Sequence, residues 1–179
     1  MVARSVVLVF VVALAAAQTG SAAVAPSSLP PLGTCPGELD ARAAAGSQLN
    51  SLHCLVNAVR ARRGLRRLRL VSPLVRSSAF RADAIVRCRQ FSHTPCGQPF
   101  GAVFRRVGYT GRGVAVGETL AFASNATPRW TVDAWLRSPA HRRVLLASSW
   151  RDFGGVNVNA SALFGAQSRL WVAQFGRRG

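Results

Sequence analysis

The chain contains no lysine; all 23 of its basic residues are arginine. It has six acidic residues and three histidines, so every group able to act as an acid, a base or a hard ligand can be named. The acids are Glu38, Asp40, Asp83, Glu118, Asp133 and Asp152, and the histidines are His53, His93 and His141. There is no GxSxG nucleophile elbow and no HExxH pair, and no serine or cysteine has an obvious histidine and aspartate at hand. The sequence therefore carries no stand-alone hydrolase signature. No CxxC pair is present, which argues against a zinc ribbon. Beyond the first residues no apolar run approaches the ~20 residues of a membrane span.

What is present points to export. Arg4 is followed by a nearly uninterrupted run of Val, Leu, Ala and Phe over residues 5–17, and then by the small and polar QTGSAA. This is the pattern of a secretory signal peptide, with cleavage expected after Ala23 and an extracellular mature chain. A retained N-terminal anchor is the lesser alternative. Four cysteines follow: Cys35, Cys54, Cys88 and Cys96. In an exported chain an even count favours disulfides. Of the three possible connectivities, Cys35–Cys54 with Cys88–Cys96 is preferred, because each then joins a helix-like segment to a nearby flexible one. The length of 179 residues suits one domain and, by default, a monomer.

The formal net charge is +17, and loss of Arg4 with the leader lowers it by one. Such a chain should adhere to anionic cell-surface polymers or lipid headgroups. The arginines are scattered along the sequence without interleaved aromatics, so a dedicated nucleic-acid module is not expected. Arginine in place of lysine, together with the Ala, Val and Gly content, suggests a GC-rich bacterial gene. The matches to the N-glycosylation pattern at Asn125 and Asn159 are then read as chance.

Residues 24–47 are punctuated by Pro and Gly and read as an arm. From Gln48, Leu49, Leu52, Val56 and Val59 recur at helical spacing, with Asn50, Asn57 and Arg60 off that face and Gly64 as a stop. Ser72-Pro73 reads as an N-cap and first turn, followed by a buried stripe of Val75, Ala79, Ala82 and Val86 that fades near Arg89. Residues 100–107 form a short helical candidate ended by Gly108, and Thr127-Pro128 and Ser138-Pro139 open two more. Late in the chain the period changes to two, in FGGVNVN from Phe153 and RLWVAQF from Arg169, which predicts an antiparallel hairpin. The fold class is α+β, with helices flanking a small antiparallel sheet.

Three ionisable residues stand out. His93 lies in FSHTPCG, where a helix gives way to a loop, and by itself reads as a capping or surface histidine. Glu118 is the sole charge in the apolar stretch 114–123 and needs a partner, either an arginine or a histidine. His141 falls in the first turn after Ser138-Pro139, where the helix dipole lowers an imidazole pKa. His53, beside Cys54, reads as structural or exposed, with no evident partner.

The ordered motifs CLVNAVRARRGL (54–65), FSH (91–93), GYTGRG…GETL (108–120), W-x-x-S-P-A-H-R (135–142), FGGVNV and LWVAQFG resemble the CAP superfamily of SCP-like extracellular domains in its bacterial form. The resemblance covers about residues 49–176. It implies an α-β-α sandwich over residues 48–179, with a cleft lined by His93, Glu118, His141 and Ser138. It also marks two departures, since Thr119 stands where the family's GEN motif has asparagine, and Ser138 where many members carry a second glutamate. Asp133, two positions before Trp135, is no substitute for that glutamate. His93, Glu118 and His141 form a His₂Glu set that suits Zn²⁺ or another divalent cation. The reading favoured is a cleft that binds a lipid, a cell-envelope molecule or a cation. A metal-assisted hydrolase of peptides or wall polymer and a basic adhesion module are the alternatives.

Overall fold

A computed structural model of the chain describes residues 29–179. The expected leader, residues 1–23, and the first part of the arm lie outside them. Six helices and four strands follow in order: α1 (Ala45–Ala61), β1 (Arg69–Leu70), α2 (Ser72–Cys88), α3 (Ala102–Arg106), β2 (Ala115–Ser124), α4 (Pro128–Arg137), α5 (Pro139–Leu146), β3 (Asp152–Asn159), α6 (Ser161–Phe164) and β4 (Ser168–Arg177). A single 3₁₀ turn, Pro95–Gly97, sits between α2 and α3.

The strands form one sheet in the order β1-β3-β4-β2. The hairpin predicted from the two-residue period is there: β3 pairs antiparallel with β4, placing Phe153 beside Phe175 and Val156 beside Val172. The sheet is mixed and not purely antiparallel, because the two residues of β1 pair in parallel with β3. β2, at the end of the sheet, runs antiparallel to β4 along its whole length.

Alternation sends successive side chains to opposite faces, so each face has its own core. One face carries Ala121, Trp171, Ala173, Phe153 and Phe175 and is covered by α1, α4 and α5 through Leu52, Leu55, Val56, Trp135 and Leu145. The other carries Leu120, Leu170 and Val172 and is covered by Ala82 and Ile85 of α2. Helices on both faces make the α-β-α sandwich.

Helix starts follow local rules. Thr127 Oγ1 accepts the Trp130 N–H and opens α4, and Ser138 Oγ accepts the His141 N–H and opens α5. α2 departs from expectation, since its cap position is Val71, with Ser72 already helical and no side-chain cap. Its buried face is also rotated from the expected stripe. Leu74, Ser77, Ser78, Arg81, Ala82 and Ile85 point inward, while Ala79 is exposed. The cause is polar: the sheet offers Glu118 and Gln174 on this face, and Ser77 and Arg81 meet them.

α1 also buries more than its apolar stripe. Asn57 and Arg60, read as off-face, are buried. Asn57 exchanges hydrogen bonds with both backbone groups of Leu68, and Arg60 donates to the carbonyls of Arg66, Leu145 and Ala147. These two side chains satisfy backbone groups that close packing around the loop after α1 hides from water. His53 is tied in as well, with Nε2 2.8 Å from the Leu68 carbonyl oxygen and its ring stacked on Phe153. Both expected disulfides, Cys35–Cys54 and Cys88–Cys96, are formed. The described part of the arm is docked on α4, where Arg129 donates to Glu38 and to the Pro30 carbonyl.

Gly154 sets how close α2 lies to the sheet, because a Cβ there would sit 2.2 Å from the backbone carbonyl carbon of Leu74. Gly154→Ala is expected to destabilise by about 2–3 kcal/mol, since backbone cannot yield as a side chain does. Gly46→Ala, in the first turn of α1 with open space around it, is expected to stabilise by about 0.5 kcal/mol. Denaturant midpoints of the two variants measure both effects.

Candidate functional site

Glu118 lies mid-strand in β2 on the α2 face, and its side chain is fully buried. Its cross-strand neighbour in β4 is Gln174, whose neighbour in β3 is Gly154, so the three residues form one row across the sheet. Gly154 lets α2 approach this row. Arg81 then reaches Glu118, with Nε donating to Oε2 at 3.0 Å, and Gln174 Nε2 donates to the same oxygen at 2.7 Å. Ser77 Oγ donates in turn to Gln174 Oε1, and Arg81 Nη2 to the Phe100 carbonyl at 2.7 Å. The other carboxylate oxygen, Oε1, lies 2.7 Å from His93 Nδ1. A carboxylate only accepts, so Nδ1 carries the proton and Nε2 is the ring nitrogen left for the cleft. Glu118 thus has both partners that its sequence context suggested as alternatives, an arginine and a histidine.

His93 is held from its own side too. α2 ends at Cys88, Arg89 turns left-handed at φ 54°, and the Cys88–Cys96 bridge closes the loop that carries His93. Gln90 Oε1 accepts the Cys96 N–H at 2.7 Å, and Phe100 meets the imidazole edge-on at 6.3 Å. The His93 side chain is 49% exposed, against 0% for Glu118, so it forms the open end of a buried network.

His141 approaches from the opposite layer. Trp135 anchors α4 by donating its indole N–H to the Leu120 carbonyl of β2 at 3.1 Å, and Ser138 then starts α5. His141 follows in the first turn, within electrostatic reach of His93. β2 ends the sheet, so its outer edge lies between the α2 layer, which holds His93 through Glu118, and the α4–α5 layer, which carries His141. Burial lowers the His141 pKa below 6.5, and the nearby His93 lowers it further. The direction matches the sequence expectation, but the cause is desolvation and a neighbouring imidazole in place of the helix dipole.

Ser138 therefore acts as the cap that places His141. Asp133 is turned away in an ion pair with Arg137 on its own helix. Thr119 is buried on the face away from Glu118. Arg81, Gln174 and Ser77 went unnoticed in the sequence. The signal was Arg81 itself, a charge one position before Ala82, which the apolar spacing placed on the inner side of α2. Zinc can be weighed against these donors. Both oxygens of Glu118 are engaged by Arg81, Gln174 and His93, and among the described residues no three His, Cys, Asp or Glu side chains are grouped to hold a metal ion. The residues present offer a cation two imidazoles, with Glu118 behind one of them.

A folded chain whose His141 pKa lies below the unfolded value binds fewer protons than the unfolded chain between those two values. The contribution of His141 to stability is complete above pH 6.5 and is lost as pH falls through the lowered value. NMR titration is expected to place the His141 midpoint below 6.5 and to move it part of the way back in His93→Gln, with the burial component remaining. An unchanged midpoint in that variant would separate the two rings.

Three solved structures share the fold. An extracellular protein containing an SCP domain from Bacillus anthracis matches at TM-score 0.64 and 19% identity over 75% of this chain and 41% of its own. An outer surface protein from Borrelia burgdorferi matches at TM-score 0.57 and 21% identity over 72% and 90%. A cysteine-rich secretory protein from Staphylococcus aureus matches at TM-score 0.58 and 17% identity over 75% and 40%. This chain thus spans about two fifths of the Bacillus and Staphylococcus proteins. Comparison with curated protein sequences finds no match. The model of the cysteine-rich secretory protein family, CAP, matches residues 54–175, which include His93, Glu118, His141 and all four strands except the last two residues of β4, Gly176 and Arg177. With its family model and its fold in agreement, the chain belongs to the CAP family of cysteine-rich secretory proteins.

Proposed function

We propose that this is an exported domain whose cleft at the outer edge of β2 binds an anionic amphiphile of the cell envelope, without turning it over. The observation that carries the reading is an aromatic cluster beside His93. Phe91, two residues before it, meets Phe122 at 4.8 Å and Phe164 at 5.7 Å, and Phe122 stacks on Phe164 at 3.8 Å. Phe91 and Phe122 are 43% and 39% exposed, a sizeable apolar surface close in sequence to His93. An acyl or isoprenoid chain would lie on the rings, and its headgroup would meet the imidazoles. The carboxylate that a general base or a metal would use is instead committed to Arg81 and Gln174. Export is supported by the leader-like sequence and by relatives described as extracellular, outer surface or secretory. No described helix is long and apolar enough to cross a membrane.

A divalent cation held between His93 and His141 is the competing reading, favoured by the neutral imidazole that burial maintains at His141. Calorimetry separates the two. With a short-chain anionic phospholipid below its micelle concentration, Phe91→Ser with Phe122→Ser is expected to weaken binding about tenfold or more, from the lost ring burial, and His93→Gln to weaken it less. With zinc, the amphiphile reading expects equal affinity in the wild type, His93→Ala and His141→Ala. Phospholipid binding that ignores the two rings, or zinc binding lost in both histidine variants, would reverse the preference.

A further inference from the structure

Five arginines fall within residues 62–69: Arg62, Arg63, Arg66, Arg67 and Arg69. They occupy the turn after α1, the extended link that follows it, and the start of β1. All five are exposed. Arg63 donates to the Val59 carbonyl at 3.1 Å. Arg62, Arg66 and Arg67 have no side-chain hydrogen bond or ion pair among the described residues. Arg69 pairs with Asp152, but that carboxylate is buried and also accepts the Tyr109 hydroxyl.

Residues flanking the neighbouring strands border the patch. The Arg151 carbonyl accepts the Arg69 N–H, and Arg178 lies over the Tyr109 ring at 4.6 Å, across a recess of about 320 Å³ from Arg69. Among the described residues, no acid pairs with Arg62, Arg63, Arg66 or Arg67. Glu38, Asp83, Glu118 and Asp133 are each paired with an arginine of their own, and Asp40 accepts the N–H groups of Arg42 and Ala43. A charge run is ordinarily a solvated face, but uncompensated like charges at this density repel one another. An external polyanion relieves that repulsion.

We propose that residues 62–69, with Arg178 beside them, form a docking surface for a linear phosphate-bearing polymer. This surface is separate from the cleft and independent of the ligand proposed there. A guanidinium presents paired donors that match phosphate oxygens. No aromatic residue lies between Arg62 and Leu70 to stack a base, and the apolar content is two leucines, one of them, Leu65, half-buried. Recognition therefore rests on phosphates, and not on bases or acyl chains.

Binding of the purified protein to long-chain inorganic polyphosphate, measured across a salt series, tests the assignment. Arg66→Gln with Arg67→Gln is expected to weaken binding about tenfold at 0.1 M salt and to make the salt slope shallower by about two. Arg62→Gln with Arg63→Gln is expected to do the same. Arg76→Gln with Arg112→Gln removes the same charge from exposed positions elsewhere and is expected to change affinity less than about threefold. Equal losses in all three double variants would show diffuse attraction and overturn the patch. Binding to vesicles containing phosphatidylglycerol with none to polyphosphate would overturn the partner.

Discussion

The ion pair between Arg81 and Glu118 fixes the relation of α2 to the sheet and, through it, the site. Both side chains are fully buried, and neither charge could stay there without the other. Breaking such a pair by removing one partner typically costs about 3–5 kcal/mol, comparable to a large share of a domain's net stability. The pair needs α2 close to the sheet, which Gly154 permits. It needs the second donor on Glu118 Oε2, which Gln174 supplies, and Gln174 in turn is held by Ser77. Three strands and one helix thus converge on a single carboxylate.

That arrangement decides what the cleft can offer. A free glutamate beside two histidines would be a base or a metal ligand. A glutamate neutralised from behind by arginine becomes a fixed acceptor that aims His93. The disulfide-closed loop restrains the same imidazole from its other side, and α5 brings His141 up from the opposite layer. Burial lowers the His141 pKa and favours its neutral form, and a cluster of Phe91, Phe122 and Phe164 lies two residues along the chain from His93. The outer surface carries the excess positive charge, with its densest part at residues 62–69, formed by a segment remote in sequence from the motifs of the cleft.

Some of this was legible in the sequence and some was not. The hairpin, the proline-marked starts of α4 and α5 and both disulfides rest on local rules, and those rules hold where neighbours do not interfere. His93, Glu118 and His141 could be singled out because acids and histidines are so few. The buried face of α2 could not be read from apolar spacing, since its inward positions include Ser77, Ser78 and Arg81, chosen by polar groups on a strand that arrives more than thirty residues later. Asn57 and Arg60 misled for the same reason, because their partners are backbone N–H and carbonyl groups that only the tertiary fold hides from water. β1 is too short to show any period, so the parallel edge of the sheet was invisible.

The central claim is that Glu118, braced by Arg81, holds His93 with its Nδ1 proton inward and its Nε2 toward the cleft. Long-range ¹⁵N–¹H correlation of the imidazole rings at alkaline pH reads the tautomer directly. The account expects the Nδ1–H form for His93, and loss of that preference in Glu118→Ala. A His93 ring protonated on Nε2 in the wild type, with Nδ1 bare, would contradict it.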